Sequence, residues 1–400
     1  MSILDAAAAA LARRLLPRVL SQLDSGLITI VFTDGYRLTA GMPSSGRGAT
    51  LRVLDNKFFR KVLADGEIGF AEAYMDGLFE TDDLLSLLAV GLEGRTRVGG
   101  GLRWLSAISR LSNRRFHRHN RNTVERARNN MHAHYDLSNE LFELFLDDTL
   151  SYSCAIFESN DESLEDAQAN KYRILSEKAE LSPGQRILEI GGGWGGYAIY
   201  AAGHYGVHVT MVNISADQVE LARQRVADTG LDDLVEIQLR DYREIEGQFD
   251  KVVVMGMIEQ VGAEYYEEFF KVCDRALKPG GLFVLQTITV PDRAFVDLRD
   301  GVNFMQKYIF PGGMLPSLQA IREAAAPTAL EIQNTEEIGQ HYVGTMHIWR
   351  ERFLANLDKV RALGFDERFI RMWDYYLAAS EACFLTKTTG DLQIVFRKTA

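Results

Sequence analysis

Between Ile187 and Gly196 the chain reads ILEIGGGWGG, an apolar run that passes straight into glycines and then into a helical pattern. Glycines at such a turn let a ligand approach the backbone, and the N–H groups at the helix start face whatever sits above the strand end. Gly191, Gly193 and Gly196 satisfy a G-x-G-x-x-G spacing, with Trp194 and Gly195 between them. The spacing alone is weak, because close packing of helix on sheet also selects glycine. Its neighbours add chemistry. Glu189 places an acid just before the glycines; Asn213, Ile214 and Gln218 follow the next apolar run; Asp241 and Tyr242 follow the third. Glu259 closes a further apolar run. Open parallel sheets bind ligands beyond their carboxyl strand ends, where all of these residues stand. For Asp241 the plain alternative is a helix cap.

The elements that must position these residues follow from periodicity. Strand patterns cover Arg186 to Ile190, Val207 to Asn213, Val235 to Leu239, Phe249 to Val254 and Gly281 to Thr287. They alternate with helical patterns such as Ala216 to Thr229 and Tyr265 to Leu277. This alternation predicts an α/β domain with a mostly parallel sheet covered on both faces. Leu318 to Phe384 reads as largely helical and is followed by an edge strand, Leu392 to Phe396. Near the amino terminus, residues 24 to 54 alternate around turn signals, as short antiparallel strands do. Helical spacing broken by Gly66, Gly69 and Gly77 follows. The expected organisation is a small α+β domain over 1–98, a basic amphipathic linker over 99–130, and the main domain over 131–400.

With 400 residues the chain is long enough for two domains, and its 46% apolar and 25% charged content is that of an ordinary globular protein. Cys154, Cys273 and Cys383 are odd in number and lack metal-type spacing, which argues against a disulfide framework or a zinc site and fits a reducing cytoplasm. Ala6 to Leu20 reads as an amphipathic helix, since arginines interrupt its apolar run. No run of eighteen apolar residues occurs, so membrane contact is expected to be peripheral. The net charge is −11, yet Arg95 to Arg128 holds ten arginines against one acid, Glu125. Leu102, Trp104, Leu105, Ile108 and Leu111 are set among those arginines, a pattern suited to an anionic lipid interface. A solvated linker helix is the plainer alternative. No base-reading motif accompanies the arginines, so nucleic acid is not an expected partner.

Long stretches resemble the cyclopropane-fatty-acyl-phospholipid synthase family. They are GEIGFAEAYMDG (Gly66 to Gly77), HYDLSNELFELFLDDTLSYSCA (His134 to Ala155), the glycine motif, QFDKVVVMGMIEQVG (Gln248 to Gly262) and KYIFPGGMLPS (Lys307 to Ser317). Plant amine N-methyltransferases share the glycine and YIFP segments but not the amino-terminal stretch. The resemblance implies a Rossmann-like class I methyltransferase domain with a smaller α+β domain and helical carboxy-terminal additions. It also implies S-adenosylmethionine (SAM) as co-substrate, held by Tyr135, Ser153, Glu189, Gly191, Gly193, Trp194, Gly195, Asn213, Ile214, Gln218, Asp241 and Tyr242. The implied reaction adds a methyl group to a double bond of an unsaturated acyl chain in a membrane phospholipid, at the inner face of the cell membrane. A homodimer is left open.

An alkene needs no deprotonation before it attacks a sulfonium methyl, so a base is needed only afterwards. In the family a bound bicarbonate ion takes that role. Carried over by motif, it would be held by the Cys154 backbone, Glu259, the residue at 286, the Ile288 backbone and Tyr342. Two positions depart from the family: Gln260 and Gln286 stand where histidine is usual. Glutamine keeps hydrogen-bonding capacity but takes up no proton near neutral pH. Either a neutral amide holds the ion, or bicarbonate is absent and the proton leaves another carbon, giving a methyl-branched chain or a methylated diene in place of a cyclopropane. The open-chain product is the expected one. The rival functions are a small-molecule N- or C-methyltransferase and an inactive lipid-binding relative.

Overall fold

The computed structural model describes residues 3–21, 23, 26–42, 46–97 and 137–399. The linker expected over 99–130, with all of its arginines, and Tyr135 lie outside the described residues. In chain order the helices are α1 (Ile3–Leu20), α2 (Lys57–Met75), α3 (Leu84–Arg97), α4 (Asn139–Glu143), α5 (Leu164–Lys178), α6 (Gly196–Tyr205), α7 (Ala216–Thr229), α8 (Tyr266–Ala276), α9 (Asp292–Asp300), α10 (Leu318–Ala325), α11 (Gly339–Ala355), α12 (Leu357–Ala362) and α13 (Glu367–Leu385). The strands are β1 (Gly26–Val31), β2 (Arg37–Met42), β3 (Gly48–Val53), β4 (Phe79–Thr81), β5 (Arg186–Ile190), β6 (His208–Asn213), β7 (Val235–Leu239), β8 (Phe249–Met255), β9 (Leu277–Thr289), β10 (Leu330–Glu337) and β11 (Gly390–Lys398).

The described residues fall into two compact units. The first draws on Met1–Arg118, Asp300–Ile309 and Trp349–Thr388. The stretch 349–388 thus lies inside 131–400 in sequence and inside the first unit in space. Its sheet has the order β2-β1-β3-β4. β1 pairs antiparallel with β2 and β3 with β4, but β1 and β3 run parallel, which corrects the wholly antiparallel expectation. Alternation along a strand sets which face is buried and carries no information on direction. Ile28, Ile30, Leu51 and Val53 point into a core completed by Phe58, Phe59 and Phe79. α2 continues through Gly66 with a kink there, and α13 packs against α2 and α3.

The second unit draws on His119–Arg299, Phe310–Ile348 and Thr389–Ala400. Its seven strands lie in the order β10-β11-β9-β8-β5-β6-β7. β9, β8, β5, β6 and β7 are mutually parallel, as the sequence pattern requires. Successive residues of one strand serve opposite faces. Ile187, Val253 and Val284 pack with α5, α6 and α7, while Leu188, Val252, Val254 and Phe283 pack with α8 and α10. A sheet covered on both sides has continuous apolar strands, and each fully buried Val, Leu or Phe contributes roughly 1.5–3 kcal/mol. β11 is not the edge expected for Leu392 to Phe396: it lies between β9 and β10, antiparallel to both. The edge is β10, a strand inside the stretch expected to be helical. Its sequence LEIQNTEE is exposed at most positions, as a charged edge strand is, and so lacks a strand's alternation.

Candidate active site

The chain leaves β5 toward β6 and β7 on one side and returns to β8 and β9 on the other, so the sheet reverses direction of growth between β5 and β8. Ligands of doubly wound sheets bind at that crevice, beyond the carboxyl strand ends. The glycine loop fills its near side. Gly191 turns the chain out of β5 at φ 77°, where a Cβ would lie 2.7 Å from the Met257 side chain. Gly193, at φ 56°, faces open space and is where a ligand can meet bare backbone. The Asn213 amide donates to the Gly193 carbonyl at 3.2 Å and to Gln218 Oε1 at 2.8 Å, bracing the loop against the start of α7. Ile214, half-buried, is part of the same turn.

Three expected ligand residues also have structural roles. Trp194 is buried, donates from Nε1 to Asn139 Oδ1 at 2.8 Å, and packs its ring 5.0 Å from Phe142, so it seats α4. Asp241 caps the turn after β7 through the Arg243 N–H at 3.0 Å and takes the Arg243 guanidinium on both oxygens at 2.8 Å. The capping alternative is therefore present. Tyr242 tilts its ring onto Phe269 within the core.

Glu189 is 1% exposed, and neither of its oxygens has a hydrogen-bond partner. Burial pushes it up to about 8, with the Lys171 charge pulling the other way. Lys171 is itself fully buried on α5. Its Nζ donates to Ser151 at 2.5 Å and to Ser153 at 2.8 Å, and burial pushes it down to about 8 against the charges of Asp147, Cys154, Asp391 and Glu189. Lys171 belongs to none of the motifs named above. A signal for it existed, because Leu164, Ala167, Lys171 and Leu175 form one helical stripe and a charge stands in an otherwise buried row.

Across the crevice, Glu259 sits in a 3-10 turn after β8 and is 5% exposed. The Ile288 N–H donates to its Oε1 at 2.7 Å, and Oε2 has no partner. Burial pushes its carboxyl up to about 7, opposed by hydrogen bonds from backbone N–H groups and from Thr287. Gln260, half-buried, ends the same turn. Gln286 is buried; its Nε2 donates to Asp391 Oδ2 at 3.1 Å and reaches the Cys154 carbonyl at 3.5 Å, and its Oε1 accepts from Gln393 at 3.0 Å. Cys154 is buried, its thiol reaches the Ile338 carbonyl at 3.8 Å, and burial pushes that thiol well above its usual range. The neighbouring Ala155 N–H donates to Thr345 Oγ1 at 3.1 Å. Tyr342, buried, lies on α11, between Ile338, whose carbonyl meets the Cys154 thiol, and Thr345, which accepts from the Ala155 N–H.

Residues 122–394 match the family model for mycolic acid cyclopropane synthetase. The chain belongs to this family. Over 392 residues, 95% of this chain and 89% of the relative, it is 40% identical to a tuberculostearic acid methyltransferase of Mycobacterium tuberculosis. Over 364 residues, 90% of this chain and 91% of the relative, it is 38% identical to the cyclopropane-fatty-acyl-phospholipid synthase of Escherichia coli. Among solved structures, a mycolic acid cyclopropane synthase complexed with SAH and CTAB superposes with a TM-score of 0.64 at 30% identity, covering 68% of this chain and 98% of that one. The class I methyltransferase fold and the SAM dependence of the cyclopropane synthases therefore apply to this chain. The residues fit the co-substrate: an unpartnered buried acid, Glu189, suits a ligand carrying ammonium and sulfonium charges, and Gly193 offers open backbone beside it.

Proposed function

We propose that this chain transfers a methyl group from SAM to a double bond of an unsaturated fatty-acyl chain in a membrane phospholipid, with an open-chain methylated product. The observation that carries this is Glu259, a buried acid fixed by the Ile288 N–H, with one oxygen unpartnered and no basic side chain bonded to it. A carboxylate in that setting is poised to stabilise positive charge that exists only after methyl transfer, which is where electrostatic catalysis acts. SAM supplies the electrophilic methyl. The protein's own tasks are to seat SAM with Tyr135, Ser153, Glu189, the glycine loop, Asn213, Ile214, Gln218, Asp241 and Tyr242, to exclude water with buried residues around Cys154 and Tyr342, and to remove one proton.

Gln286 favours the open chain. Its amide is committed to Asp391, Cys154 and Gln393, so it has little left to offer a bicarbonate ion. Of the two relatives named above, one is named a tuberculostearic acid methyltransferase and the other a cyclopropane-fatty-acyl-phospholipid synthase. Among the described residues no helix is long and apolar enough to cross a membrane. Peripheral attachment at the inner, cytoplasmic face of the membrane, through residues 1–98 and the basic linker over 99–130, accords with that; a homodimer is part of the same proposal.

Mass spectrometry of lipids from cells expressing the chain with labelled methionine tests the whole proposal, because it reports substrate, mass increment and ring or branch together. Label found only in small soluble amines would favour the rival N-methyltransferase and overturn it. Calorimetry with SAH adds a second check: either enzyme should bind it, whereas an inactive relative could fail to.

A further inference from the structure

We propose that Asp391 is the group that takes the proton released after methyl transfer, so that the chain carries its own acceptor in place of a bound anion. The inference rests on the function proposed above. Asp391 is the second residue of β11, in register with Ile288, whose N–H holds Glu259. Its backbone is pinned on both sides: its N–H donates to Glu337 Oε1 at 3.0 Å, and its carbonyl accepts from the Ile338 N–H at 2.8 Å. Its side chain lies against the Cys154 thiol, and Oδ2 accepts from Gln286 Nε2 at 3.1 Å. The residue is 1% exposed, and Oδ1 has no hydrogen-bond partner. An acid serving only to brace Gln286 would have no need to bury a second oxygen that accepts no N–H or O–H hydrogen bond. Gln286 meanwhile orients the carboxylate, which a neutral amide does without competing for the proton.

The charged groups facing Asp391 set its basicity. Burial, then Glu259 and, more weakly, Glu337 push it well above the usual carboxylate range, while the Gln286 hydrogen bond and the Lys171 charge act the other way. Its ionised form, populated as pH rises, is a stronger proton acceptor than a free carboxylate. In the step itself, the alkene π pair forms the new carbon–methyl bond as the methyl–sulfur bond breaks, leaving a cation on the adjacent chain carbon. A neighbouring C–H bond then breaks; its electron pair closes a new C=C, and the proton goes to Asp391 Oδ1. The proton is lost to water after product leaves.

The test assays the full-length enzyme with SAM and vesicles of dioleoyl phosphatidylglycerol in buffer stripped of carbon dioxide. The wild type should keep its rate there and gain nothing from added bicarbonate. Asp391→Asn should lose activity by about a hundredfold and change the ratio of product isomers, with SAH affinity unchanged by calorimetry. Formate should restore part of the activity of Asp391→Gly. A wild type arrested without bicarbonate, or an Asn variant with the wild-type rate and isomers, overturns the proposal while leaving the function intact. If the Asn variant loses SAH binding too, the wild-type arm alone decides. A wild type that methylates no lipid under any of these conditions overturns the function, and this inference with it.

Discussion

At the scale of single residues, Glu259 gives the sharpest expectations. Glu259→Gln should abolish turnover and leave SAH affinity nearly intact, since the side chain stands outside the glycine loop; equal loss of both would mark a folding role. Its carboxyl is pushed up to about 7, so the ionised form gains with rising pH and kcat/KM should rise through that value, a step the Gln variant lacks. Stability runs the other way. The folded state binds the proton more tightly than the unfolded chain, so the contribution is full below the unfolded pKa of about 4.3 and is lost as pH rises through about 7, by at most about 4 kcal/mol. Urea denaturation of wild type and Glu259→Gln at pH 5 and pH 8 checks this. A second expectation concerns Gln286→His: it should introduce stimulation by bicarbonate and raise the share of cyclopropane, read from fragmentation of the product. A wild type that already makes cyclopropane and depends on bicarbonate would show that glutamine is a competent ligand.

At the scale of elements, the informative one is α5, which carries Lys171 under the segment that holds Ser151 and Ser153. Lys171→Met preserves length and helix propensity but removes both hydrogen bonds and the positive charge near Glu189 and Asp391. The SAH affinity should fall by about tenfold, about 1.4 kcal/mol, and stability at pH 7 should drop by about 1–3 kcal/mol, because the Ser151 and Ser153 hydroxyls lose a buried hydrogen-bond donor. Isothermal titration and thermal unfolding measure the two separately, and an unchanged affinity would confine Lys171 to a packing role. Helices and parallel strands of this unit were legible from periodicity because each has a continuous apolar side. β10 was not legible, since an exposed edge strand needs no apolar face, and β11 took its place in the expectation because it alone ends in an apolar run.

At the scale of the whole molecule, the proposed function requires an acidic protein to meet an anionic membrane. Replacing Arg110, Arg114, Arg115 and Arg118 by glutamine should weaken binding to anionic vesicles and make the residual binding less sensitive to salt, since screening acts on those charges. Activity on detergent-dispersed lipid should suffer less. Vesicle sedimentation at two salt concentrations checks it, and unchanged binding would make the segment a plain linker.

The sequence alone determined the parallel core of the sheet, the glycine loop and the acids beyond strand ends, because local periodicity and turn chemistry are written in neighbouring residues. It also supplied Glu259, Ile288, Cys154, Gln286 and Tyr342 through motif resemblance. Only the tertiary structure decided that Gln286 is committed to Asp391 and Gln393, that Asp391 and Lys171 are buried beside the site, and that 349–388 packs with the amino-terminal unit. These depend on contacts between segments far apart in the chain, such as Asp391 with Gln286, which are 105 residues apart. A charge at the start of a strand reads as solvated until the fold places β10 on its far side and buries it.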